Sequence, residues 1–188
     1  MMQAVRFARI DTVTVPDKFM SVLYVSDNGE EVDLGSVRTQ LAEDKESLDY
    51  LGIASDSDPL AFPDIYRIIK DVRPRGLKVL IITDGRDPRV MDDLIGAGYA
   101  HAADMIIGRS ITAEQSECMD LLRDNGCRFA VTVDASEHDE DSLKAVADAC
   151  GGCSMFILKQ NKDKPLKKSE MSSLSKVAKK CTWNVRIG

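Results

Sequence analysis

What this 188-residue chain lacks narrows its reading first. No apolar run has the length that a membrane span requires. Arg6, Arg9 and Asp11 stand where an export leader would need its apolar stretch, so no secretion signal is expected and a cytoplasmic setting follows. Histidine is scarce, with only His101 and His138. Cysteine is absent before Cys118; the later thiols are Cys127, Cys150, Cys153 and Cys181. Five thiols without an export signal are expected to be reduced rather than paired in a disulfide framework. There is no internal repeat and no low-complexity segment. A cationic surplus is missing too: the net charge of −6 argues against a nucleic-acid-binding surface.

The charge is uneven. From Lys159 onward nine Lys and Arg face Asp163 and Glu170, a balance of +7 that leaves −13 for residues 1–158. The body is acidic and the tail basic.

Short apolar runs alternate with stretches of helical spacing. Strands are expected at Met20–Ser26, Tyr50–Ala54, Lys78–Thr83, Ala103–Ile107, Arg128–Val133 and Ser154–Lys159, the continuous runs of strands buried on both faces. Apolar residues at i, i+3 and i+4 predict helices over Pro63–Val72, Pro88–Ala97, Ala113–Asn125, Glu140–Ala149 and Ser169–Lys180, with a weaker one over Val37–Leu48. Asp87, Thr112 and Asp139 stand as helix caps, and Gly76, Gly98, Gly126 and Gly151 as helix stops. Val5–Val15 alternates like an extra strand or hairpin. Six strand–helix pairs imply a parallel sheet, either an open doubly wound one or an incomplete barrel.

Function in such a sheet sits beyond the C-terminal ends of the strands. The loops there, at Asp27–Leu34, Ser55–Leu60, Asp84–Asp87, Gly108–Ala113, Asp134–Asp139 and Gln160–Asp163, are polar, which suits either a polar ligand or plain solvation. Asp84-Gly85-Arg86-Asp87 reads as a ligand contact or as a capping turn. His138 lies among carboxylates, but no spacing supports a metal site of His138, Asp134 and Asp56. Cys150-Gly-Gly-Cys153 reads as half a metal site, a redox pair, or two thiols in a helix-to-strand turn on the opposite rim. The lysine-rich tail reads as an amphipathic helix with a solvated face.

Two stretches carry a family likeness. SDSDPL at Ser55–Leu60 and RGLKVLIITDG at Arg75–Gly85 resemble the SGGEPL … GLKVxxxTNG run of radical S-adenosylmethionine enzymes that activate pyruvate formate-lyase and anaerobic ribonucleotide reductase. The likeness continues through PRVMDDLIGAGYAHAADMII and HDEDSLKAVADAC to WNVRIG, covering residues 18–188. It implies an α/β fold, an incomplete (β/α)6 TIM-like barrel of the radical S-adenosylmethionine type. Residues 1–188 would form one domain, with 1–17 as an extra strand or hairpin and 161–188 as a basic helix and closing strand. The family's C-x-x-x-C-x-x-C, which holds a four-iron cluster, would fall in Asp27–Gly35, where there is no cysteine. The family's Gly-Gly-Glu is Asp56-Ser57-Asp58, its Asn before glycine is Asp84, and its M-D-x-K is Met105-Ile106-Ile107-Gly108, with Arg109 a loose substitute.

The expectation is a cluster-less relative with a degenerate site, acting as a non-radical binding or regulatory protein. No four-iron cluster, no other cofactor and no metal are expected. Two other readings stay open: an enzyme acting on a small polar ligand at the strand ends, and residual S-adenosylmethionine binding. Asp56, Ser57, Asp58, Thr83, Asp84, Arg109, Asp134 and His138 are the candidate ligand-binding residues; no catalytic residue is assigned. A protein partner or a small polar ligand is expected, and neither nucleic acid nor membrane.

Overall fold

The computed structural model describes residues 2–11, 15 and 17–188. One eight-stranded sheet runs through it, its strands side by side in sequence order. β1 (Gln3–Asp11) is antiparallel to β2 (Met20–Ser26). All later neighbours are parallel: β3 (Tyr50–Ser55), β4 (Val79–Thr83), β5 (Ala102–Ile107), β6 (Arg128–Asp134), β7 (Met155–Lys159) and β8 (Val185–Ile187). Between the parallel strands come six helices: α1 (Leu34–Asp44), α2 (Ile65–Val72), α3 (Pro88–Gly96), α4 (Ala113–Asp124), α5 (Glu140–Ala149) and α6 (Lys168–Cys181). No helix among the described residues is long and apolar enough to cross a membrane.

Local chemistry sets the boundaries. Asp87 accepts from the backbone N–H groups of Arg89 and Val90 and starts α3 with Pro88 in its first turn. Thr112 with Gln115, and Asp139 with Ser142, close reciprocal caps on α4 and α5. The weak helix expected over 37–48 begins three residues earlier, because Asp33 accepts from Gly35 N and Ser36 N. It gives way after Asp44 to a 3₁₀ turn at Lys45–Ser47. After α5 the left-handed glycine is Gly152, with φ 86°, rather than Gly151. The extra strand expected over 5–15 is β1, from Gln3 to Asp11; residues 12–14 lie outside the described residues.

Strand alternation sorts the core into two clusters. Leu23, Ile53, Ile81, Met105, Val131 and Leu158 face the helices and pack on stripes such as Ile65, Ile68, Ile69 and Val72 of α2. α6 adds Met171, Leu174 and Ala178 to this layer and leaves Lys176, Lys179 and Lys180 in water. The opposite face carries a smaller cluster, including Val22, Ala54, Leu80, Ala102, Ala130 and Ile157, to which no helix contributes. Without helices, this face is covered by the curl of the sheet. One cavity touches both Lys18, ahead of β2, and Asn184, ahead of β8. Arg186 of β8 also reaches Asp17 at 2.9 Å. Among the described residues β1 and β8 are not hydrogen-bonded to each other, so the described sheet keeps two edges.

Candidate ligand-binding site

The candidate residues divide into two groups at the strand ends. After β3, Asp56 and Ser57 are exposed, whereas Asp58 turns back under the loop. The Asp58 carboxylate accepts from the Thr83 hydroxyl at 2.8 and 2.9 Å, from Leu60 N at 2.6 Å and from Asp84 N at 2.5 Å. It therefore splints the β3 loop to the end of β4 beneath the surface. Thr83 shares the parity of Val79 and Ile81, which face the helices. Asp58 and Thr83, expected at the mouth, are thus held on the helix side by these bonds. Burial and the adjacent Asp84 push the Asp58 carboxyl up to about 7. Asp84 is half-buried, which opposes ionisation, yet hydrogen bonds from the Arg86 guanidinium hold its carboxyl below the usual range. Asp84-Gly85-Arg86-Asp87 is therefore a self-paired turn that leads into the α3 cap. Gly85 belongs there because φ is 74° and an added Cβ would lie 2.6 Å from Met105 Cε.

The second group lies beyond β5 and β6. Asp134 accepts from Ser136 N at 2.9 Å and from Asn161 Nδ2 at 2.6 Å. Burial raises its carboxyl, but the bonds from Ser136 and Asn161 hold it below the usual range. Arg109 is exposed and pairs with Asp139 at 3.0 Å. His138 is buried at the end of a 3₁₀ turn (Ala135–Glu137), and neither ring nitrogen has a partner among the described residues. Burial pushes its imidazole pKa down, against the pull of Glu137, Asp139 and Asp134.

Between the groups lies a residue absent from the expected set. Asp104 of β5 pairs in register with Ile82 and Ala130, so its side chain lies on the helix-free face. It is 1% exposed. Oδ1 accepts from the Thr132 hydroxyl at 2.7 Å, and Oδ2 is buried without a partner among the described residues. Burial pushes the carboxyl up to about 6, opposed by the Thr132 bond and by the charge of half-buried Lys159 on β7. Two residues along β5, on the same face, Ile106 is 45% exposed. The face thus opens to water just beyond Asp104, toward the C-terminal strand ends. The signal in the sequence is the single carboxylate inside the apolar run AADMII.

Comparison with known proteins adds little. No family model and no curated protein matches the chain. Among solved structures, a mutant tryptophan synthase alpha-subunit from the hyperthermophile Pyrococcus furiosus is similar, at 13% identity and a TM-score of 0.48, over 82% of this chain and 72% of that one. A likeness of that size carries no functional argument.

A four-iron cluster does not suit these residues. The loop between β2 and α1, residues 27–33, offers no thiol. Cys118 is buried in α4 with its thiol on Gly85 O, and Cys127 leans toward Ala100 O. Cys150 and Cys153 lie within the helix-side core, and Cys181 reaches Val177 O at the end of α6. Among the described residues, no three His, Cys, Asp or Glu side chains are grouped to hold a metal ion. Cys150 and Cys153 lie in the turn between α5 and β7 expected for them, and both are buried there, which pushes their thiols up, Cys150 to about 12.

Proposed function

We propose that this chain is a cluster-less relative of the radical S-adenosylmethionine activators, built as an open, incomplete barrel. It would bind a small polar ligand at the C-terminal strand ends instead of performing radical chemistry. The observation that carries the binding role is Asp104. A buried carboxylate with one oxygen unpartnered costs about 1–3 kcal/mol relative to a satisfied group. A fold keeps such a defect most readily where a ligand supplies the missing donor. The ligand chemistry follows: an amine or another strong hydrogen-bond donor for Asp104 Oδ2, within a mouth that also carries Asp56, Asp84 and Asp134. The barrel reading is supported by the curl of the helix-free face, and the loss of radical chemistry by the thiol-free β2–α1 loop.

An enzyme using Asp104 as a proton carrier is the second reading. A carboxyl held near 6 is suited to general acid–base work near neutral pH. Residual S-adenosylmethionine binding would draw on the same mouth, since that molecule carries an amine and a sulfonium cation.

Thermal-shift screening of the full chain tests the proposal, with small amines, S-adenosylmethionine and matched carboxylates compared in the wild type and in Asp104→Asn. Stabilisation by an amine or by S-adenosylmethionine that disappears in Asp104→Asn is the expected result. No shift with any amine, or an equal shift in the variant, overturns it. Turnover of the stabilising compound would select the enzyme reading.

A further inference from the structure

The helix-free face has a second opening, at the N-terminal ends of the strands. A cavity of about 390 Å³ lies there, at the small end of the range for ligand pockets. Its walls come from Leu80 of β4, Ala102 of β5, Ala130 of β6 and Met155 of β7, all buried. The space exists for a legible reason. No helix reaches this face, and the strands place Ala102 and Ala130 where larger side chains would meet across the curl. An apolar cavity of this kind gains little from water and favours an apolar occupant.

Its rim has the opposite character from the acidic C-terminal mouth. Lys18 and Arg128 border the cavity, and Lys45 and Lys78 lie close by, against Glu46 and Asp49. Lys18 is shared with Asp49 at 3.7 Å, while Arg128 makes no ion pair among the described residues. The connection from α6 to β8 places Trp183 on the same rim, 82% exposed. A large aromatic left in water beside an apolar cavity gains most by covering something seated in it.

We propose that this cavity is a second ligand site, for a small carboxylate with a compact apolar body. The apolar part would lie against Leu80, Ala102, Ala130 and Met155. The carboxylate would meet Arg128, with Lys18 adding charge, and Trp183 would fold over the exposed side. The two mouths of the curled sheet therefore take ligands of opposite sign, an amine at one and a carboxylate at the other. The apolar walls exclude inorganic phosphate, which has no body to fill them, and a free amine is repelled by the rim.

Trp183 is the single tryptophan of the chain, so its emission reports on this site directly. The test titrates the full chain with phenylacetate, with the neutral isostere phenylacetamide and with phenethylamine. Phenylacetate is expected to give a saturable blue shift, with the amide and the amine at least about tenfold weaker, the effect of losing one favourable charge contact of about 1.4 kcal/mol. Arg128 is exposed, and Arg128→Gln is expected to weaken phenylacetate about two- to fivefold, as loss of a solvent-exposed charge partner does. Ala130→Leu fills the cavity and is expected to abolish the shift with the melting temperature kept or raised; Ala102→Val is the milder filling variant. The proposal is overturned by the absence of a saturable shift, by equal response to all three probes, or by undiminished binding in Arg128→Gln. A folded filling variant that still binds overturns it as well.

Discussion

Asp104 makes the fold less stable at neutral pH than it is in mild acid. Its carboxyl titrates at about 6 in the folded chain, against an ordinary value of 3.8. A raised pKa means that the folded state holds the proton more tightly than the unfolded state. Its contribution is therefore most favourable below about pH 4 and is lost as pH rises through 6; the penalty is then complete and amounts to about 2–3 kcal/mol. Asp104→Asn removes that titration. Between about pH 4 and pH 8 the stability difference should shift in favour of the variant by about that amount, read from urea midpoints at each pH. A difference independent of pH would show that Asp104 has an ordinary environment. A variant that gains stability while losing ligand is the usual trade at a binding site. Asp58 shares the upward shift, to about 7, but its carboxylate also satisfies three donors. Asp58→Ala should cost about 1–3 kcal/mol by stranding them. Asp56→Ala, two residues away in water, should stay within about 0.5 kcal/mol in the same denaturation assay.

At the level of elements, the cap signals were the most readable part of the chain. Asp87, Thr112 and Asp139 each cap the helix that follows, because a cap depends on only three or four adjacent residues. Asp104 was hidden for the converse reason. AADMII reads as one buried run, and only pairing with Ile82 and Ala130 decides which face its carboxylate takes. Asp58 was rightly placed in a strand-end loop, but the direction of its side chain depends on donors of β4, far along the chain. Cys150-Gly-Gly-Cys153 likewise read as a rim turn, and burial there is set by the connection after α6, where Cys153 Sγ lies 3.7 Å from Thr182 Oγ1. Replacing both cysteines with Ser places two hydroxyls in apolar core and should cost about 1–3 kcal/mol for each. Replacing both with Ala should cost less than the Ser pair. In the folded chain an aromatic disulfide reagent should label Cys127 and Cys181, which are half-buried, well before Cys118, Cys150 and Cys153. Fast labelling of the C-x-x-C pair without denaturant would show that the turn is open.

For the whole molecule, the order of elements was legible almost throughout, since each strand–helix pair announces itself by a change of period. The curl of the sheet was not, because it depends on small residues such as Ala102 and Ala130 meeting on one face. The purified chain is expected to be colourless and, after anaerobic reconstitution, to hold no stoichiometric iron and sulfide. Charge-transfer absorption with four irons per chain would refute the cluster-less reading. The sequential strand order has one more consequence, for synthesis on the ribosome. Apart from the opening β1–β2 pair, each new strand docks beside the strand made just before it, and every loop to be closed is one helix long. The nascent sheet can therefore assemble from β1 onward, each unit emerging onto a template that is already waiting. Pauses in translation should be tolerated at any unit boundary. The growing edge would at each such moment be a bare parallel strand, the part of the molecule most in need of a chaperone.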